Sequence, residues 1–141
     1  LNGNDGITSF SGNGRDENLY HIIEVNSENV TFNGVVVSGG QATASSGDDR
    51  FGGGIFKDSN VLNLTIANCT FTDNVAIGGG AVFNRSGNGD SVTILNSTFK
   101  NNLGTYAAGL YVINEASATN AVSVSNSLFY NNTTKNNNIC L

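Results

Sequence analysis

The sequence predicts an all-β chain: a right-handed parallel β-helix, or solenoid, of about four coils of roughly 26–34 residues each. Three observations predict it: an eight-residue unit that recurs four times, a bend-forming residue at one fixed place in that unit, and a small-residue motif ahead of the later units. The four units are Val30–Val37, Leu64–Phe71, Val92–Phe99 and Val122–Phe129, which align without a gap at spacings of 34, 28 and 30 residues.

In each unit the first and third residues are apolar and the second is Thr or Ser, the alternation of a strand that buries one face. The fifth residue is Gly34, Asn68, Asn96 or Asn126. Gly and Asn tolerate positive φ best, so this place reads as a sharp bend between two strands. Beyond the bend, Val35, Cys69, Ser97 and Ser127 are expected to form one inward column, and Val37, Phe71, Phe99 and Phe129 a second. Thr65, Thr93 and Ser123 are expected to face solvent.

The later units are preceded by Gly52-Gly53-Gly54-Ile55-Phe56, Gly78-Gly79-Gly80-Ala81-Val82-Phe83 and Ala107-Ala108-Gly109-Leu110-Tyr111-Val112. Small residues before an apolar strand suit a backbone turning closely around a core. Tyr20–Val25 reads as the same strand in the first coil. About three short strands per coil follow, none able to bury its apolar face alone, and stacking in parallel at roughly 4.8 Å per coil solves that problem. Crossovers between parallel strands are overwhelmingly right-handed, hence the expected hand. A leucine-rich repeat lacks its Leu spacing here, and an antiparallel sandwich would not demand Asn at one phase.

Composition agrees. The 141 residues include 18 Gly and 24 Asn but no Pro, Met or Trp, and only 12% are charged. Turn formers abound, helix formers are scarce, and the apolar residues come in short β-prone runs. A net charge of -5, with six scattered Lys and Arg, disfavours nucleic-acid binding. No apolar run reaches the roughly 18 residues of a membrane span. The chain opens at Leu1 without a signal segment, so the expectation is one β-helix segment, 1–141, of a longer protein. Within it, 1–19 reads as an N-terminal loop or cap region and 20–141 as coils.

The same residues resemble the short repeats of the chlamydial polymorphic outer membrane proteins, whose hallmarks are GGA[IVL] and FxxN. Gly79-Gly80-Ala81-Val82 matches the first, with Gly53-Gly54-Ile55 and Ala108-Gly109-Leu110 as variants. Phe71-Thr72-Asp73-Asn74, Phe99-Lys100-Asn101-Asn102 and Phe129-Tyr130-Asn131-Asn132 match the second. The pair of motifs covers residues 52 to 132. The opening, Leu1–Gly6 followed by Asn18–Ile23, is similar to the first coil of large exported bacterial β-helix proteins. The resemblance implies a bacterial protein that is secreted or displayed at the cell surface, with no particular ligand.

Chemistry has few candidates. Gly47-Asp48-Asp49-Arg50 places two carboxylates beside a guanidinium, a set able to touch Ca²⁺ or a glycan, or to act as an acid/base pair. It resembles the Asp-Asp motif of polygalacturonases, but that family's His-Gly and Arg-x-Lys motifs are absent. The surrounding run from Thr43 to Gly54 reads instead as a solvated loop bulging from the first coil. No cofactor is expected, and Asp48 and Asp49 are the weak candidates for a metal contact. Asn2, Asn4, Asp5, Asp16 and Glu17 do not match calcium-loop spacing. His21, the only histidine, reads as a surface strand position with no nucleophile to serve.

Cys69 reads as a buried thiol, and neither it nor Cys140 lies in metal-binding spacing. Asn29, Asn63, Asn68, Asn84, Asn96 and Asn131 sit in Asn-x-Ser/Thr triplets that the bends and strands already explain. Tyr106, Tyr111 and Tyr130 fall at different phases and outline no sugar platform. The functional expectation is a non-catalytic structural or adhesin-like segment of a β-helix protein. The alternative is part of a polysaccharide-active β-helix, a lyase or glycoside hydrolase, whose catalytic coils lie partly outside the chain. Expected partners are further coils of the same polypeptide or a partner chain at the C-terminal edge, where Ile139-Cys140-Leu141 reads as the start of another strand, and a glycan or surface-protein ligand.

Overall fold

A computed structural model describes residues 20–114 and 119–135. The expected N-terminal cap region, its acidic cluster, Cys140 and the Ile139–Leu141 strand lie outside those residues.

The described chain is a parallel β-solenoid of about four coils. Each coil carries four strands rather than the three expected. The first coil holds β1 (Ile23–Val25), β2 (Val30–Asn33), β3 (Val36–Ser38) and β4 (Gln41–Ala42). The second holds β5 (Ile55–Lys57), β6 (Leu64–Ala67), β7 (Thr70–Thr72) and β8 (Val75–Ala76). The third holds β9 (Val82–Ser86), β10 (Ser91–Leu95), β11 (Thr98–Lys100) and β12 (Leu103–Gly104). The fourth holds β13 (Leu110–Asn114), β14 (Ala121–Ser125), β15 (Leu128–Tyr130) and β16 (Thr133–Thr134). Every strand pairs in parallel with its counterpart one coil away, giving four four-stranded sheets. The fourth sheet escaped the sequence because its strands are two residues long, too short for an alternation to register.

The pairing places Leu64 beside Val92 and Val92 beside Val122, the register of the ungapped alignment. Phe71, Phe99 and Phe129 stack face to face, with ring centroids 4.9 and 4.5 Å apart and planes within 5° and 1°. Val37 pairs with Phe71 at the head of this column. Thr65 and Thr93 are half-buried and Ser123 is exposed, an outer row partly screened by its neighbours along the coil.

Two left-handed positions recur in every coil. Gly34, Asn68, Asn96 and Asn126 have φ of 72°, 55°, 47° and 48°, and Gly39, Asp73, Asn101 and Asn131 have 80°, 58°, 55° and 53°. Only Gly, Asn and Asp visit this region at small cost, which fixes the residue type at both columns. Gly79 is a stricter case. Its φ is 66°, and a Cβ there would sit 2.3 Å from the Val82 carbonyl oxygen.

Polar groups left by the turns are satisfied from coil to coil. The last Asn of each FxxN motif points inward: Asn74 and Asn102 are buried, and each Nδ2 donates to a backbone carbonyl of the preceding coil, Val37 at 3.1 Å and Phe71 at 3.1 Å. Asn102 Oδ1 in turn accepts the Asn74 N–H at 3.1 Å and its Nδ2 at 3.0 Å. Replacing Asn102 by Leu strands the buried Asn74 N–H, so an expected loss of about 1–3 kcal/mol follows. Urea unfolding of the variant measures it.

Candidate functional site

Outer chemistry collects on the first sheet. Ile55, Val82 and Leu110 face the lumen, so the residues after them, Phe56, Phe83 and Tyr111, project from the opposite face in one register. Phe56 and Phe83 are buried there nonetheless, because His21, Phe51 and Arg85 lie against their rings. Phe51 stacks on Phe83 at 4.6 Å, and Arg85 lies over Phe83 at 5.6 Å. The expected free-standing loop is therefore, at its C-terminal end, the cover of an aromatic patch. Its carboxylates remain about half exposed.

Asp48 and Asp49 open a short 3-10 turn, Asp48–Arg50, and diverge. Asp48 accepts from Arg85 Nη2 at 2.7 Å, while Asp58, beyond β5, accepts from Arg85 Nη1 at 2.7 Å. Asp49 instead lies 3.8 Å from His21 Nε2. His21, Asp48, Asp49 and Asp58 border an open cleft of about 460 Å³, with Tyr20, Glu24 and Asn60 on its walls. One arginine thus spans two carboxylates from different coils. Exposed pairs of this kind contribute under about 1 kcal/mol each, so the clamp sets orientation more than stability.

The protonation states follow from the partners. Burial tends to raise the Asp58 carboxyl, but bonds from the Ser59 N–H and Arg85 outweigh it and hold it below its ordinary value of 3.8. Arg85 is held above its ordinary value, first by its bond to Asp48.

His21 departs from the sequence expectation of a surface strand position. It is buried, stacks on Phe56 at 4.9 Å and donates from Nδ1 to the Gly52 carbonyl at 3.1 Å. The backbone of the Gly52 turn supplies the acceptor, a partner 31 residues away that a lone histidine gives no hint of. Burial lowers its pKa below 6.5, against opposing contributions from Gly52, Asp49 and Glu24. The unfolded chain binds this proton more readily, so the His21 contribution is complete above about pH 6.5 and declines as pH falls towards the depressed value. Melting temperature measured from pH 8 to 5 is expected to drop less in His21→Gln than in the parent protein.

A second ionic site lies inside the solenoid and went unread in the sequence. Lys57 follows Ile55 by two residues and so enters the lumen. Its Nζ donates to Asp90 Oδ2 at 2.8 Å, and both side chains are 0% exposed. Asp90 Oδ2 also accepts from Asn84 Nδ2 at 2.9 Å, and Oδ1 accepts the Asn63 N–H at 2.7 Å. Burial tends to raise the Asp90 carboxyl, but the bonds from Lys57, Asn84 and Asn63 prevail and lower it below 3.8. The network joins coils two and three at the corner between the first and second sheets. Asn84, one of the Asn-x-Ser/Thr triplets, is buried within it.

Among the described residues no group of three or more His, Cys, Asp or Glu converges as a metal site, and Asp48 and Asp49 point to different partners. Cys69 is a buried free thiol whose Sγ approaches the Ala67 carbonyl at 3.1 Å. Of the tyrosines, Tyr106 and Tyr111 fall at different phases yet come together at 6.0 Å, because the turn before β13 carries Tyr106 back over Tyr111. Tyr130 lies on β15, in another sheet. The chain matches no family model, no curated protein and no solved structure.

Proposed function

We propose that this chain is a non-catalytic structural segment of a secreted or surface-displayed bacterial β-helix protein built from repeats of the GGA[IVL] and FxxN kind. One observation carries the reading: Asp48 and Asp58, carboxylates of the open cleft, are both engaged by Arg85. Glycosidic cleavage needs a carboxylic acid that stays protonated near neutrality, and the bonds to Asp58 push it the other way. The remaining strong polar interactions, Lys57–Asp90 and the asparagine ladder, fasten one coil to the next. An adhesin-like role fits a scaffold that presents outer side chains at a regular pitch, with a glycan or a surface protein as ligand and further coils or a partner chain at the C-terminal edge.

The alternative, a polysaccharide-active β-helix, draws on the position of Asp48 and Asp49 beside the cleft and Tyr20. Incubation of the purified chain with pectate, alginate and neutral glycans separates the two, read by reducing ends and by ultraviolet absorbance of unsaturated products. The expected result is no turnover. Cleavage that disappears in Asp48→Asn or Asp49→Asn contradicts the proposal.

A further inference from the structure

Two columns of hydrogen bonds from backbone N–H to side chain run in one direction from coil to coil. The Cys69 N–H donates to Ser97 Oγ at 3.1 Å, and the Ser97 N–H donates to Ser127 Oγ at 3.1 Å. Five residues further along each coil, the Asn74 N–H donates to Asn102 Oδ1 and the Asn102 N–H to Asn132 Oδ1, both at 3.1 Å. In every case the side-chain acceptor comes from the following coil. The backbone carbonyls of the same residues complement this pattern in the opposite sense: Cys69 accepts the Thr98 N–H of the following coil at 2.8 Å and Ser97 accepts the Leu128 N–H at 2.9 Å.

The fourth coil therefore presents a patterned face. Among the described residues, no acceptor meets the N–H of Ser127 or Asn132. Between these groups the lumen is open: Val122 and Val124 are 48% and 45% exposed, whereas Val92 and Ile94, their register partners, are 1% and 0% exposed. Apolar side chains and donors at fixed intervals define what fits.

We propose that this face docks one further parallel coil, outside the 141 residues, that carries a hydroxyl side chain at the Ser127 phase and an asparagine at the Asn132 phase. The inference rests on the structural reading above and adds the chemistry of the partner. The repeat places the next residues of those phases 28 to 34 positions on, past residue 141. A second copy stacked through its first coil does not satisfy the pattern. At these two phases that coil has Val35 and Gly40, which offer no side-chain acceptor and leave both donors buried without a partner.

The test extends the full chain beyond Leu141 by a copy of residues 112–135, and compares it with the same extension in which the copies of Ser127 and Asn132 are replaced by Ala. Amide exchange of Ser127 and Asn132 is followed by NMR, with the Asn74 and Asn102 amides as a check that the original coils are intact. The matched extension is expected to slow both end amides by about tenfold or more relative to the Ala version. Equal protection by the two extensions, or protection by neither, overturns the proposal. So does an unextended chain that self-associates in light scattering with both amides already protected, since a second copy then fills the face. The polysaccharide assay is independent of these outcomes and judges the structural reading separately.

Discussion

Asp90→Ala is expected to destabilise the protein by about 3–5 kcal/mol, because it leaves the Lys57 ammonium buried without its counter-ion. Lys57 and Asp90 are 0% exposed, and no solvent reaches the site to replace the lost carboxylate. The same deletion strips acceptors from Asn84 Nδ2 and the Asn63 N–H, so the loss spreads to the corner between two sheets. Removing both charges together, Lys57→Met with Asp90→Leu, is expected to recover much of the stability. A buried ion pair roughly balances its own desolvation, and the large penalty belongs to the half-broken state. Denaturant midpoints of the two single variants and the double variant decide this, and a double variant as unstable as the worse single one contradicts it.

Acid probes the same pair. The Asp90 pKa is lowered in the folded protein, so its contribution is complete above the ordinary carboxylate value of 3.8 and is lost as pH falls through the depressed value. The His21 contribution fades earlier, below about pH 6.5. Two separate acid losses are the expected profile.

Phe99→Ala is expected to cost about 3–5 kcal/mol, the range for truncating a buried aromatic side chain. Phe99 is the middle ring of the stack, in face-to-face contact with Phe71 on one side and Phe129 on the other. Its removal opens a cavity between coils two and four that the closely spaced backbone has little freedom to collapse. Phe129→Ala is expected to cost less, since Phe129 in the last coil is only partly buried. Thermal or urea unfolding of the pair orders them, and equal losses contradict the graded stack.

The fold class was legible because its cause repeats. A strand that alternates, a bend that demands Gly or Asn, and a small-residue approach recur at nearly equal spacing, so Val30, Leu64, Val92 and Val122 reveal their pairing by alignment alone. The aromatic patch was legible in principle, since Phe56, Phe83 and Tyr111 occupy one phase after the small-residue motif. What hid it was the cover, Phe51 and the turn Asp48–Arg50, which occurs once. The Lys57–Asp90 pair is hidden for the same reason: one copy, 33 residues apart, with no repeat to signal that both side chains turn inward. His21 was misread because its acceptor is a backbone carbonyl, and backbone partners carry no residue signature. Asp48 and Asp49 look like a unit in sequence, yet neighbouring side chains in a tight turn point apart, and Arg85 and His21 divide them.

Inward polar groups lock the coils into one stacked body, and native-state hydrogen exchange reads that locking amide by amide. The Asn63, Asn74 and Asn102 amides, donors to Asp90, Asn102 and Asn132, are expected to exchange only through global unfolding, with one common free energy and denaturant dependence. Exchange of these amides through separate local openings, at free energies well below that of global unfolding, contradicts it.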